Sequence, residues 1–282
     1  MRSIHILTLC AVMTAALAAG CNREAPNLPA ASAPAASVAV ANDSTRLEAA
    51  VDGFIDGMFQ RYPTFAASAG KHEFDGKLPD YSPAGLKADA DWLHAERAKF
   101  AAFGDDKLDD SGRFHRHYVL AVIDGQLFWL EDSGFPYSNP AFYTGDLSPS
   151  MYLTRPYAPL PQRMAAFVTY QEALPKAIAQ IKANFKLPLP ESYITLGVNG
   201  FGGYASFVKT DGPAIFAEVK DDALQTRFKA SNAAAIKATQ DLADWLKAQR
   251  PHATHDYALG AAKFSRMLHA TELVDLPLDQ LK

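Results

Sequence analysis

Cysteine is almost absent from this chain. Of 282 residues only Cys10 and Cys21 carry a thiol, and Cys10 lies inside an N-terminal stretch that reads as a cleaved leader. A mature chain with one remaining cysteine has no internal disulfide, although an export route would permit one, and the same count excludes cysteine-based zinc sites and cysteine nucleophiles. A basic excess is also missing: 27 Lys and Arg stand against 31 Asp and Glu, for a net charge of -4. There is therefore no electrostatic footprint for nucleic acid, and that partner is excluded. Strand signals are scarce, because alternation of apolar and polar residues never persists. The hairpin-type pair Asn199-Gly200 sits inside a helical or loop stretch rather than between apolar runs.

Familiar catalytic motifs are missing too. A zinc peptidase helix would carry His-Glu-x-x-His, which puts both imidazoles on one face with the carboxylate between them. Here His72-Glu73 meets Gly76 where the second His belongs, and His115 and His117 point to different helix faces. His252 and His255 follow Pro251 in a predicted loop, and His269-x-x-Glu272 stands alone, so it reads as a surface contact. No metal ligand set can be assembled. No Gly-x-Ser-x-Gly elbow occurs, and the glycine-rich run at 197–203 lacks a P-loop lysine, so it reads as a packed or flexible helix end. The pairs Asp105-Asp106, Asp109-Asp110 and Asp221-Asp222 each stand where a helix is about to begin, where carboxylates stabilise the positive end of the backbone dipole.

What is present begins with the leader. Arg2 and His5 open it, residues 4–17 are mainly apolar, and Leu17-Ala18-Ala19-Gly20 leads into Cys21. This layout predicts a lipoprotein signal over residues 1–20, with Cys21 lipidated and the membrane as a partner through its acyl chains. Each buried CH₂ contributes about 0.8 kcal/mol, so several chains anchor firmly. A plain signal or a retained membrane helix are the alternatives, but the run is shorter than the roughly 20 residues needed to span. Asn22, rather than the Asp that commonly marks inner-membrane retention, points to the outer membrane, facing the periplasm. Residues 21–43 are rich in Ala, Pro and Ser and lack aromatics, as expected of a flexible tether.

Residues 44–282 read as one helical domain of an all-α protein. Leu47, Val51, Phe54, Ile55 and Met58 share a helix face, with Asp43 or Ser44 as N-cap. Ser82-Pro83 announces a second helix that carries Leu86, Ala90, Leu93, Arg97 and Phe100 and closes near Gly104. Further helices are predicted over 111–133, 161–185 with a restart or kink at Pro175, 190–207, 221–249 and 257–269. Between them, residues 134–161 form one long irregular segment, too aromatic to be a disordered linker. An ordered loop of that length is often functional.

Three blocks share an order and spacing with a known family. The first comprises Tyr62-Pro63-Thr64-Phe65-Ala66, Gly70-Lys71-His72-Glu73-Phe74-Asp75 and Leu78-Pro79-Asp80-Tyr81-Ser82-Pro83. Asn139-Pro140, Tyr143, Arg155-Pro156-Tyr157-Ala158-Pro159, Arg163, Pro175 and Ala183-Asn184-Phe185 continue it. Tyr257-Ala258-Leu259-Gly260, Phe264 and Glu272-Leu273 close it. Together they resemble domain-of-unknown-function family 885, bacterial and often lipid-anchored, over roughly residues 44–282. The resemblance implies a mainly helical fold and zinc-dependent peptidase chemistry, with a His-Glu-x-x-Pro-Gly-His type motif in a C-terminal half that this sequence does not contain. Zinc is therefore expected for a full-length member, no metal ligand or catalytic residue carries over to this chain, and the missing C-terminal half of the same protein becomes an expected partner.

Two readings follow. In the first, the chain is the N-terminal portion of an exported peptidase, inactive alone, with Arg155, Tyr157 and Arg163 on one wall of a peptide cleft. The arginines offer a fork to a peptide carboxylate and the tyrosine a lining. Arg155 also admits a purely structural role, tying the long loop to a helix C-terminus. In the second, the chain is a non-catalytic envelope lipoprotein, a binding or scaffolding module. The first expects an exposed apolar patch where further chain docks; the second expects apolar faces buried within residues 53–282.

Overall fold

The structure, a computed structural model, describes residues 35–281, with side chains from Asp43 onward. The leader, Cys21 and residues 21–34 of the tether lie outside the described residues. Two helical layers, each with its own apolar core, account for most of the chain. The first is built from α1 (Ala35–Arg61), α3 (Pro83–Ala101) and α4 (Asp110–Leu127). Leu47, Ala50 and Phe54, spaced three and four apart on α1, pack against Leu93 and Phe100 of α3 and against Val119, Ile123 and Leu127 of α4. Phe54 also stacks on Trp92 at 5.3 Å and meets Phe100 edge-on at 5.9 Å.

Ile55, expected on the buried face, is 42 % exposed, because one residue after Phe54 turns the side chain about 100° round the axis. α1 also starts eight residues before Asp43, so neither Asp43 nor Ser44 caps it. Asp43 instead pairs with Arg46 at 2.8 Å, and the Ser44 hydroxyl accepts from the Asp109 amide at 3.2 Å, clamping α1 to the start of α4.

Caps elsewhere fall where short polar residues precede apolar runs. The Ser82 hydroxyl accepts from the Gly85 amide at 3.1 Å with Pro83 opening α3, and Asp109 accepts from Gly112 at 2.7 Å. Asp221 accepts from Leu224 at 2.9 Å, so this acidic residue and Asp109 do serve helix starts. α4 runs on through a π-helical turn, Phe128–Asp132.

The second layer consists of α8 (Leu160–Asn184), α9 (Glu191–Ile215) and α10 (Asp222–Ala248). Phe167, Leu174 and Ile181 of α8, Phe201 and Val208 of α9 and Phe228, Ala235 and Leu242 of α10 share its core. Pro175 lies within a continuous α8 rather than restarting it. A polar knot is sealed inside: Gln171 Nε2 donates to Asn232 Oδ1 at 2.6 Å, Asn232 Nδ2 donates to the Val208 carbonyl at 3.1 Å, and the Ser231 hydroxyl donates to Gln171 Oε1 at 3.0 Å. One side chain, Asn232, thereby ties all three helices in register.

The glycine run is not a helix end but the middle of α9. A Cβ on Gly197 would stand 2.6 Å from Pro140 and 2.7 Å from Leu246, and one on Gly200 would stand 2.6 Å from Thr144. The run lets α10 and the segment before α8 press onto α9. That segment, expected to be irregular, folds into α5 (Phe135–Ser138), α6 (Ala141–Thr144) and α7 (Ser150–Thr154). Its aromatics enter the second core: Tyr143 is fully buried, donates to the Pro136 carbonyl at 2.7 Å and accepts from Asn184 at 2.9 Å.

Two smaller helices complete the fold. α2 (Pro63–Ser68) follows α1, and α11 (Gly260–Glu272) lies along α4 with none of its residues buried. The chain is all-α: among the described residues there is no strand, only an isolated bridge between Pro190 and Thr254. None of the described helices is long and apolar enough to cross a membrane.

Candidate functional site

Where the first layer meets the segment of short helices that leads into the second, a gap remains and forms a cleft. Its inner part is a cavity of about 450 Å³ lined by Met58 and Tyr62 where α1 ends, Phe65 of α2, Leu86 and Asp89 of α3, Gln126 of α4, Trp129 and Leu130 of the π turn, Phe142 of α6, and Asp146. An adjoining cavity of about 340 Å³ has a mixed lining, with Thr64, Ser68, Ser148, Ser150 and Arg155 set beside Phe65, Met151 and Tyr170. Phe65 and Asp146 border both. A larger hollow of about 610 Å³ lies beside α1 and α3, but its Asp43 and Arg46 satisfy each other and no unpaired buried polar atom lines it. The cleft has such atoms, and an apolar hollow with a few convergent polar groups is the usual build of a ligand site.

Four segments position those groups. Tyr81 precedes the Ser82 cap, so the start of α3 fixes it; it is almost fully buried with its ring edge-on to Tyr143 at 5.4 Å. Its hydroxyl, and the Gln126 carbonyl oxygen on α4, are buried without a hydrogen-bond partner. The Gln126 amide reaches only the Met58 sulfur, at 3.6 Å, a weak acceptor. Burial raises the Tyr81 and Tyr62 pKa values, so both phenols stay protonated.

The carboxylates differ in how they are held. Asp89, raised by burial, is paired with Arg61 at 2.9 Å. Asp80 is held low, first by the Ser82 amide at 3.0 Å, and also accepts from Gln180 at 2.7 Å. Asp146 has neither kind of support. It lies on the outer turn after α6, where water reaches it, yet the cleft walls crowd it enough for desolvation to push its pKa up to about 6. The nearby Tyr81 hydroxyl counteracts part of that rise without forming a hydrogen bond of good geometry.

Of the three residues assigned to a peptide cleft from sequence, only Arg155 lines it, although Tyr62, Phe65, Asp80 and Tyr81 of the first family-like block do so as well. Its guanidinium gives one hydrogen bond, to the Ser68 carbonyl at the end of α2 at 3.3 Å, and lines the smaller cavity. Tyr157 lines neither cavity; its hydroxyl donates to Asp75 at 2.9 Å and its ring stacks on His72 at 4.0 Å. Arg163 is turned to the chain itself, donating to the Tyr152 and Arg155 carbonyls at 3.1 and 3.0 Å, which pins the turn between α7 and α8. Asp146 and Gln126 carry no sequence signal, and Tyr81 stands only within a family-like block with no role attached, since the three come from separate segments and share no periodicity.

The zinc implied by the family resemblance does not fit the residues described. Among them no three His, Cys, Asp or Glu side chains converge as ligands. His269 pairs with Asp275 at 2.5 Å rather than with Glu272, and His94 and His117 are engaged with Glu131 and Asp105 on the surface. No chemical step through a metal is derived for this chain.

Comparison with known proteins agrees with the fold. A solved structure of a candidate lipoprotein of unknown function from Shewanella oneidensis superposes with a TM-score of 0.69 at 23% identity, over 78% of this chain and 42% of that one. The chain thus spans less than half the length of that relative. No curated protein matches it. The family model for a bacterial protein of unknown function, DUF885, matches residues 63–282, and the chain belongs to that family.

Proposed function

We propose that this DUF885 chain is the peptide-binding wall of a lipid-anchored envelope protein. The observation that carries the reading is the pair of cavities sharing Phe65 and Asp146, one strongly apolar and one of mixed lining with several hydroxyls and Arg155. A peptide alternates side chains with hydrogen-bonding backbone, and such a pair accommodates both. Arg155 at the polar end supplies the fork for a terminal carboxylate. The anchor at Cys21 and a site facing the periplasm from the outer membrane are supported by the leader's layout, and by the likeness to a structure described as a candidate lipoprotein. Zinc-dependent hydrolysis, in this reading, is a property of a full-length family member and is assigned to no residue here. A docking role for α11 and the segment that follows it is supported by their unburied surface, where Phe264, Leu273 and Leu276 are exposed.

Tryptophan fluorescence tests the reading. Trp129 lines the apolar cavity while Trp92 and Trp245 do not, so Phe-Ala-Ala should give a saturable change that Trp129→Phe abolishes. Arg155→Ala should weaken that peptide about 10-fold while leaving its C-terminal amide little affected, as for loss of a charge-assisted pair. Added zinc should leave the peptide intact. Absence of any saturable change would contradict the cleft, and hydrolysis by this chain alone would contradict its assignment as non-catalytic.

A further inference from the structure

Most polar groups around the cleft are already paired or neutral. From α1 comes Arg61 and from α3 Asp89, which neutralise each other at 2.9 Å. From the segment before α3 comes Asp80, already satisfied by Ser82 and Gln180. Tyr62 and Tyr81 are protonated phenols, and Arg155 stands at the smaller cavity. That leaves Asp146, the anion shared by both cavities, without a cationic partner among the described ion pairs.

The orphaned atoms agree. Gln126 Oε1 is a buried acceptor awaiting a donor, and the Tyr81 hydroxyl is a buried donor beside Asp146. An ammonium group brings three N–H donors, enough to serve Asp146 and Gln126 together, and the Tyr81 hydroxyl can donate to the same carboxylate. A ligand carboxylate placed there would meet Asp146 with like charge, and a purely apolar ligand would leave both buried atoms unsatisfied. Around this point the walls are aromatic and aliphatic: Phe65, Trp129, Leu130 and Phe142. A cation beside aromatic faces gains further attraction.

We infer that the cleft recognises a free ammonium adjoining a large apolar side chain, with Asp146 as its anionic anchor, Tyr81 and Gln126 as positioning residues, and the 450 Å³ cavity as the side-chain pocket. Resting on the peptide-cleft reading, this makes the substrate class short peptides with an unblocked aromatic or aliphatic first residue. The main chain would then run past Asp146 into the smaller cavity towards Arg155. Because Asp146 titrates near 6 rather than near 4, affinity should fall as pH is lowered through about 6. Ammonium binding favours the carboxylate and pulls that midpoint somewhat lower.

Calorimetry on the full chain at pH 7.5 with three probes tests this. Phe-Ala-Ala and phenethylamine should bind, and N-acetyl-Phe-Ala-Ala should bind at least 10-fold more weakly than its free form. Asp146→Asn should weaken the free peptide about 10-fold and remove the preference over the acetylated one, with Asp146→Glu restoring part of it. The position is solvent-accessible, and an unchanged circular dichroism spectrum would verify folding. Equal binding of free and acetylated peptide would overturn the amine anchor while leaving the peptide cleft standing. Binding of phenethylamine but neither peptide would keep the anchor and overturn the peptide reading. No binding of any probe would overturn both, and discrimination retained in Asp146→Asn would remove Asp146 from the role.

Discussion

Adding one methyl group to Gly197 should destabilise the chain by about 1–3 kcal/mol, the usual cost of overpacking, whereas the same change at Gly203, six residues along the same helix, should stabilise it by up to about 1 kcal/mol. Helix propensity favours Ala over Gly at both positions, so propensity alone predicts two gains. Surroundings decide otherwise. A Cβ at 197 would intrude on the Pro140 ring at 2.6 Å and on Leu246 at 2.7 Å, and a rigid ring cannot step aside as a flexible chain end can. At 203 nothing lies within 4 Å. Urea midpoints of Gly197→Ala and Gly203→Ala, with slopes checked for constancy, give the two signs directly. The first variant should also weaken peptide binding, because Pro140 immediately precedes α6, whose chain carries Phe142 and Asp146 into the cleft. Two gains would mean that α9 does not set the position of that segment.

The polar knot in the second layer gives the other large effect. Gln171→Leu keeps the side chain's approximate size but strands Asn232 Oδ1 in the core, and Asn232→Leu strands Gln171 Nε2. Each single change should cost about 1–3 kcal/mol, the penalty for a buried polar group left unpaired. The double change removes both orphans and should cost distinctly less than the sum, a coupling of at least about 1 kcal/mol in the thermodynamic cycle. Strict additivity would show that the two amides are not each other's partners.

Much of this fold is legible in the chain because helix periodicity is a local property. The runs that became α8 and α10 repeat apolar residues at steps of three, four or seven positions, as Phe167, Leu174, Ile178 and Ile181 do, or Phe228, Ala235, Leu242 and Leu246, and both begin and end within two residues of expectation. Ser82, Asp109 and Asp221 are legible as marking helix starts, and each proves to be an N-cap, because capping needs only the next three residues.

What resisted reading depends on distant contacts. The glycine run looks like a helix end until Pro140, Thr144 and Leu246 are seen pressing on it. The segment at 134–161 looks irregular because its short helices are held by Tyr143 and Tyr152 reaching into the core, not by their own periodicity. The cleft is harder still. Arg155 could be suspected from its guanidinium, but Tyr157 and Arg163 of the same block are engaged internally. Asp146, Tyr81 and Gln126 are brought together only where the segment after α6 packs against the first helical layer.

That junction is the centre of the account, and hydrogen exchange monitored by mass spectrometry with and without saturating Phe-Ala-Ala tests it most directly. The account predicts slowed exchange confined to the cleft's own segments, residues 58–68, 79–89, 122–130 and 142–155, with α11 and the outer face of α10 unchanged. Protection centred on α11, or spread evenly over both layers, would contradict it.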